Sequence, residues 1–128
     1  MQRTLKALRD KGYKSAKVEH FNPHAGMFGC RQDLFRIIDV LALTPEGVLG
    51  IQVCGSDFSG HLRKITETEK ENAFAWLNTP GTILEIHAWR KLKVKRGGKA
   101  MKWDCKIQRI TINDINPVVS KKENSEEE

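Results

Sequence analysis

Apolar residues are densest in the middle of the chain, on both sides of a Thr-Pro-Glu-Gly segment at 44–47. Over 34–43 they occupy odd and even positions alike, and most positions over 49–54 are also apolar. Apolar runs separated by Pro and Gly are typical of strands joined by a turn. Apolar side chains on both faces are typical of strands that are covered on both sides. The pattern therefore predicts a buried β-hairpin over 31–56 around which the rest of the chain is built.

Asp39 interrupts the first of these two strands. A buried carboxylate costs about several kcal/mol unless a partner compensates it. A two-residue turn at Pro45 and Glu46 places Asp39 directly across from Gln52, whereas a three-residue loop shifts the pairing by one and places it opposite Val53. Because only the first register gives the carboxylate a polar neighbour, we predict that Asp39 pairs with Gln52.

The flanking segments complete an α/β pattern. We predict, in order, a helix over 3–11 that stops at Gly12, a strand over 13–21, a loop over 22–29, the hairpin, a helix that Ser56, Asp57 or Ser59 caps and that runs to about 78, and strands over 82–89 and 103–112. This order predicts a mixed central sheet flanked by helices. We expect one domain over 1–117, followed by a disordered acidic tail over 118–128.

Charge and cysteine content narrow the class of protein. The net charge is +6, and the last eight residues lower it with four Glu against two Lys, so the predicted domain is more basic than the whole chain. Three cysteines and no apolar run of membrane-spanning length lead us to expect a soluble cytoplasmic protein that makes no membrane contact. A basic surface favours polyanionic partners, although solubility alone explains a charge of this size equally well.

The segment 90–102 contains seven basic residues and no acid, with a Gly-Gly pair near its centre. A flexible basic β-arm can place cations along a phosphate backbone without reading bases. We therefore predict that this arm binds DNA, with an exposed solubilising hairpin as the alternative. The predicted DNA-contacting residues of the arm are Arg90, Lys91, Lys93, Lys95, Arg96 and Lys99.

An Asp in one strand, followed thirteen residues later by a polar-x-polar step at the end of the next strand and then by a helix, resembles the PD-(D/E)XK nuclease superfamily. The resemblance covers roughly residues 1–90 and implies a restriction-endonuclease-like core of a helix, three strands, a helix and further strands. By position, Asp39 is the Asp of the motif, Gln52 replaces its second acid, and Cys54 replaces its Lys. In size, charge and element order the chain is most similar to Holliday-junction resolvases of prokaryotes and phages.

The resemblance implies a Mg²⁺ or Mn²⁺ site, hydrolysis of branched or structured DNA, and a homodimer. Its implied metal ligands are Asp39, Gln52, the carbonyl of Val53 and Glu19, with Glu19 as the acid nearest to those strands. Lys64, on the following helix, is the candidate to replace the missing lysine. The alternatives are a surface ion pair of Glu19 with Lys17 and a solvated helix charge for Lys64.

Three further residues are candidates for contact with DNA, namely His61, Arg63 and Arg31, although an ordinary polar helix start also explains the first two. Two other kinds of protein remain open. One is a DNA-binding or assembly module that keeps the fold without catalysis. The other is a zinc-binding protein that uses His20, His24 and Cys30, a spacing that fits no common structural zinc pattern. Cys105 is predicted to be a core residue.

Overall fold

The computed structural model describes residues 1–24, 26–27 and 29–115, with the side chains of 20–22 and 30–31 excluded. Its helices are α1 (Gln2–Asp10), α2 (Phe58–Arg63) and α3 (Lys70–Leu77), and a π-helical turn, Lys64–Thr68, joins the last two. Its strands are β1 (Lys14–Lys17), β2 (His20–Asn22), β3 (Cys30–Gln32), β4 (Val40–Thr44), β5 (Gly47–Cys54), β6 (Thr82–Lys93) and β7 (Met101–Ile110). The predicted tail, 118–128, lies outside this description.

A five-stranded mixed sheet has the order β1-β4-β5-β6-β7, and β5 and β6 are its parallel pair. A parallel pair needs a crossover connection, which here is the segment α2–α3. Helix α1 packs on one face around Leu8, Val40 and Ile51, while α2 and α3 cover the other face around Ile65 and Ile86. The predicted α/β class and mixed sheet flanked by helices are confirmed.

The hairpin has the predicted register. Thr44 is paired with Gly47 and Val40 with Ile51, so the connection is the two-residue turn. The Thr44 hydroxyl accepts hydrogen bonds from the backbone N–H groups of Glu46 and Gly47. Since Pro45 cannot adopt a positive φ, the unusual backbone conformation falls on Gly47, whose φ is +146°.

The first predicted strand of the hairpin is too long. Strand β4 begins only at Val40, because the chain reverses over 34–38 in a tight turn in which the N–H of Leu34 donates to the carbonyl of Ile38. Phe35 and Arg36 both have positive φ there. The expectation that both faces are covered is also wrong at one position, because Leu43 is 54% exposed.

The strand predicted over 13–21 is divided in two. The N–H of Val18 still donates to the carbonyl of Asp39, but β4 offers β1 no partner beyond this point. The chain therefore leaves the sheet, and β2 pairs with β3 in a separate two-stranded sheet. The predicted loop over 22–29 falls between these two short strands.

The helical segment after β5 begins where the sequence allowed it to begin. Of the three possible capping residues, Asp57 is the N-cap, and its carboxylate accepts from the N–H of Gly60 at 3.2 Å. The segment packs tightly on β5, because a Cβ added to Gly50 would lie 2.7 Å from Ile38 and 2.9 Å from the Trp76 ring. No helix in the described part of the chain is long and apolar enough to span a membrane.

Candidate functional site

Asp39 and Gln52 form the centre of the candidate site. The Asp39 side chain is 4% exposed, and its Oδ2 accepts from Nε2 of Gln52 at 2.7 Å and from the backbone N–H of Val53 at 2.8 Å. The predicted pairing of Asp39 with Gln52 is confirmed. Val53 therefore contacts the carboxylate through its N–H, whereas the sequence suggested a role for its carbonyl.

Asp33 is a third member of the site that the sequence analysis missed. Its Oδ2 accepts from the same Nε2 of Gln52 at 3.2 Å. The turn over 34–38 reverses the chain between Asp33 and Asp39, and so brings the two carboxylates together. The available signal was an acid directly before an apolar run, but an unbroken strand over 34–43 would have carried Asp33 far from Asp39.

Lys64 lies at the edge of this cluster, as predicted. Its Nζ is 3.5 Å from Oε1 of Gln52 and 3.6 Å from Oδ2 of Asp33. Lys64 begins the π-helical turn, in which the N–H of Glu69 donates to the carbonyl of Lys64. Turns of this kind are frequent at functional sites. The side chain is 35% exposed, so Lys64 is neither a fully solvated helix charge nor a buried one.

The two aspartates have different proton affinities. Burial, the hydrogen bond with Asp33 and the charge of Asp33 together raise the pKa of Asp39 to about 7, against the opposing effect of the Val53 N–H and Gln52. Burial alone would raise the pKa of Asp33 as well. Hydrogen bonds from Asp39 and Gln52 and the charge of Lys64 have the larger, opposite effect, so the pKa of Asp33 lies below its usual value. Asp39 is therefore the member of the pair that keeps its proton to the higher pH.

Glu19 completes an acidic cluster, because oxygens of Glu19, Asp33 and Asp39 all lie within 4.8 Å of one another. Glu19 also lies 3.6 Å from Lys17, which is the ion pair that the sequence analysis gave as the alternative to a role in metal binding. Carboxylate oxygens from three different segments suit a hard divalent cation such as Mg²⁺ or Mn²⁺. Gln52 turns its amide nitrogen toward these carboxylates, so it would need to flip its amide to serve as an oxygen ligand.

The cluster lies in a cleft of about 830 Å³ between the ends of β5 and β6. His61 lines this cleft, and its Nδ1 is buried without a hydrogen-bond partner among the described residues. Cys54 lines it too. Burial raises the pKa of its thiol, and the charges of Asp57 and Asp39 raise it by a smaller amount. The residue in the lysine position of the motif is therefore a neutral thiol at neutral pH.

Cationic residues also line the same cleft. Arg90 and Lys91, at the base of the predicted arm, line it together with Arg3 from α1. Arg3 stacks on the Trp103 ring with its guanidinium carbon 3.6 Å from the ring centroid. The sequence analysis did not identify Arg3 or Trp103, because only the packing of α1 on the sheet brings Arg3 next to β7.

Five other predicted DNA-contacting residues lie outside this cleft. Lys93, Lys95, Arg96 and Lys99 are exposed on the arm formed by β6 and β7, which turns over at Gly97. Arg63 is 3.9 Å from Glu67 on the exposed side of its helix. The side chain of Arg31 lies outside the described part of the chain.

The zinc interpretation involves side chains that the structure does not describe, those of His20 and Cys30. His24 is exposed in the loop between β2 and β3. Cys105 is half-buried in β7 and not part of the main core. No protein-family model, curated protein or solved structure matches this chain.

Proposed function

We propose that this protein is a divalent-metal-dependent nuclease that hydrolyses phosphodiester bonds in branched or structured DNA. The observation that carries the proposal is one cleft that is lined both by the acidic cluster Glu19, Asp33 and Asp39 and by cationic side chains. A polyanionic strand in the cleft would contact the cations along its backbone and present one phosphate to the acidic cluster. This arrangement is the one that metal-assisted phosphodiester hydrolysis requires.

Each residue has a distinct role in this proposal. Glu19, Asp33 and Asp39 would hold Mg²⁺ or Mn²⁺, which when bound supplies positive charge to a phosphate oxygen. Lys64, 3.6 Å from Asp33, donates to the scissile phosphate or to the attacking water. Arg3, Arg90 and Lys91 position the strand, and the exposed cations of the arm extend the contact to flanking phosphates.

The element order supports a restriction-endonuclease-like core as part of the same proposal. The sheet has one helix on one face and a crossover helix between its parallel strands on the other. The acid of the first hairpin strand and the polar residue of the second lie side by side at the end of β5. A resolvase-like enzyme acting as a homodimer remains the expectation from the resemblance.

A second candidate, a DNA-binding or assembly module without catalysis, is favoured by one specific observation. Gln52 donates to both Asp39 and Asp33, so protein groups already satisfy the buried Asp39 and the half-buried Asp33. The thiol of Cys54 also replaces the ammonium of the motif. Both candidates predict DNA binding, and they differ in metal affinity and in cleavage.

The first experiment measures Mn²⁺ binding by calorimetry in the wild type and in Asp39→Asn. We expect binding in the wild type and a loss of at least about tenfold in the variant, since the variant removes one ligand charge. Asp10→Asn, an exposed position that pairs only with Lys6 among the described residues, is the matched control and should bind like the wild type. A wild type without measurable affinity for either metal would contradict the nuclease proposal.

The second experiment incubates the wild type with linear, flapped and four-way DNA in Mg²⁺ and in Mn²⁺. We expect cleavage of the flapped or four-way substrates, no cleavage in chelator, and none by Asp39→Asn. If the wild type binds DNA but cleaves none of these substrates, whereas Cys54→Lys does, the second candidate is the correct one.

A further inference from the structure

Strand β7 is a long open edge of the sheet. It is the last strand in the order β1-β4-β5-β6-β7, and no described strand pairs with its outer side. Its ten residues pair with β6 without a break in register, and they contain no proline. Long edge strands of this kind readily pair with another chain unless the protein blocks them.

The side chains of β7 alternate between the two faces of the sheet. On the face that carries α1, the large apolar side chains of Trp103 and Ile107 are 43% and 49% exposed, with Cys105 between them. On the face that carries α2, the central pair is Asp104 and Lys106, of opposite charge. The edge is thus apolar on one face and charged on the other.

Symmetry limits how two copies of β7 can pair. Two strands related by a twofold axis perpendicular to the sheet run antiparallel, and opposite residues lie on the same face. The axis must therefore pass midway between the two copies of one residue, which lie opposite each other. Centring it on Asp104 places two aspartates opposite each other, and centring it on Lys106 places two lysines opposite each other. Centring it on Trp103 places Asp104 opposite Lys102 twice but leaves Ile107 opposite Lys99, outside the strand. Centring it on Cys105 places Asp104 opposite Lys106 twice and Trp103 opposite Ile107 twice.

We propose that β7 pairs with β7 of a second copy of this chain, antiparallel and centred on Cys105. This pairing joins two five-stranded sheets edge to edge and gives unpaired backbone groups of both strands their hydrogen-bond partners. It covers the exposed apolar side chains Trp103 and Ile107, and it forms two ion pairs between Asp104 and Lys106 across the interface.

Contacts within each copy are compatible with this pairing. Asp104 lies 3.7 Å from Arg90 of β6, and Lys106 lies over the ring of Phe58 at 4.0 Å. Both partners lie on the inner side of β7, so each charged side chain would share its charge between this contact and the opposite strand of a second copy. The charge of Arg90 is thus kept near Asp104, and Lys106 still has two ammonium hydrogens to donate.

The test measures the mass of the protein by sedimentation velocity over a range of concentrations. We expect the wild type to be a dimer of the 14.6 kDa chain. Asp104→Lys and Lys106→Asp each create two like-charge pairs and should raise the dimer dissociation constant by about tenfold or more. The double variant Asp104→Lys/Lys106→Asp restores opposite charges at the same net charge and should recover the wild-type constant within a few-fold.

Lys14→Asp is the matched control for Lys106→Asp, because it makes the same charge change on β1, the opposite edge strand. It should leave the dimer unchanged. Thermal unfolding of each variant shows whether its monomer is folded. The proposal is overturned if the wild type remains a monomer at its highest soluble concentration. It is also overturned if both single variants dimerise like the wild type, or if the double variant stays as weak as they are.

Cys105 provides a second measurement that does not depend on charge reversal. Directly opposite residues of an antiparallel pair have Cα atoms about 4.5 to 5.5 Å apart, within the range that a disulfide spans. Burial raises the pKa of Cys105 to about 11, so the oxidation is run at alkaline pH with a copper catalyst. We expect a disulfide-linked dimer that Cys105→Ser abolishes, and a dimer linked through another cysteine would overturn the centring on Cys105.

Discussion

Two buried acidic groups lie on opposite faces of the sheet and differ in the charge of their neighbours. Asp39 is surrounded by Asp33 and Glu19, and its pKa is raised to about 7. Glu85 accepts from His87 at 3.0 Å and from Nη2 of Arg109 at 3.1 Å, and these hydrogen bonds lower its pKa despite burial. Both acids are at most 8% exposed. Burial raises the pKa of both acids, but the donors around Glu85 outweigh it, whereas Asp33 adds to it at Asp39.

The comparison separates a structural acid from a candidate ligand. Glu85 accepts from both His87 and Arg109, and Arg109 also reaches Glu46 at 3.3 Å and so links β7 to the hairpin turn. Asp39 receives hydrogen bonds only from neutral donors among the described residues, Gln52 and the Val53 N–H. The carboxylate oxygens of Glu19, Asp33 and Asp39 lie within 4.8 Å of one another and are the type of ligand that a hard divalent cation takes, whereas Glu85 is held by nitrogen donors.

The largest expected effect comes from Lys64, the cation at the edge of the first cluster. Lys64→Ala should lower the rate of DNA cleavage by about 100-fold or more, because it removes a donor to the reacting phosphate or water. Mn²⁺ affinity measured by calorimetry should stay within a few-fold of the wild type. Cys54→Lys in the Lys64→Ala background should recover part of the rate. Unchanged cleavage by Lys64→Ala would show that another group or water alone performs this step.

The two acids should also respond to pH in opposite ways. Folding raises the pKa of Asp39 above its unfolded value of 3.8, so the folded state holds more protons and loses stability as the pH rises from about 4 to about 7. The free energy of unfolding from urea titrations in chelator should fall by roughly 1 to 4 kcal/mol across this range. Asp39→Asn should remove most of this fall, because the amide mimics the protonated acid.

Asp10→Asn is the control for this titration and should keep the wild-type slope. Glu85 acts in the opposite direction, because its pKa in the folded protein lies below the unfolded value of 4.5. Its charge therefore stabilises the folded state above pH 4.5, and this stabilisation is lost as the pH falls through the folded pKa. Equal slopes in the wild type and in Asp39→Asn would show that Asp39 is already ionised in the folded protein.

The third prediction removes one cation from each cluster. Arg109→Met leaves Glu85 buried with one fewer donor and should lower the free energy of unfolding by roughly 1 to 3 kcal/mol, a range reduced because Arg109 is half-exposed. Lys64→Met should cost less than about 1 kcal/mol, since Lys64 only borders the first cluster. Equal losses in urea denaturation would contradict the distinction between the two clusters.

The smallest effect concerns cations that contact neither cluster. The variant in which Lys93, Lys95 and Arg96 are all replaced by Gln should bind DNA with a weaker salt dependence. The slope of log K against log salt concentration should become less steep by about 2 to 3. Mn²⁺ affinity should not change. Neutralising Lys6, Arg9 and Lys11, at and just after α1, is the control with equal charge loss. Equal reductions in both triple variants would mean that net charge, and not the arm, governs binding.

The sequence by itself determined the centre of the site. A buried acid required a polar partner, and only the two-residue turn gave it one, so Asp39 and Gln52 could be paired in advance. The approach of Lys64 and a helix cap at Ser56, Asp57 or Ser59 followed from the start of a helix directly after β5, and the structure selects Asp57. These features depend on neighbours in the chain and on one strand register, both of which local patterns specify.

Only the tertiary structure decided that Asp33 belongs to the site. The apolar run over 34–43 predicts a strand, but burial of Ile37 and Ile38 in the core under α3 reverses the chain instead. Positive φ at Phe35 and Arg36 is unfavourable for such residues and carries no local sequence signal. The long-range packing that overrides this cost sets the distance between Asp33 and Asp39, and with it the composition of the acidic cluster.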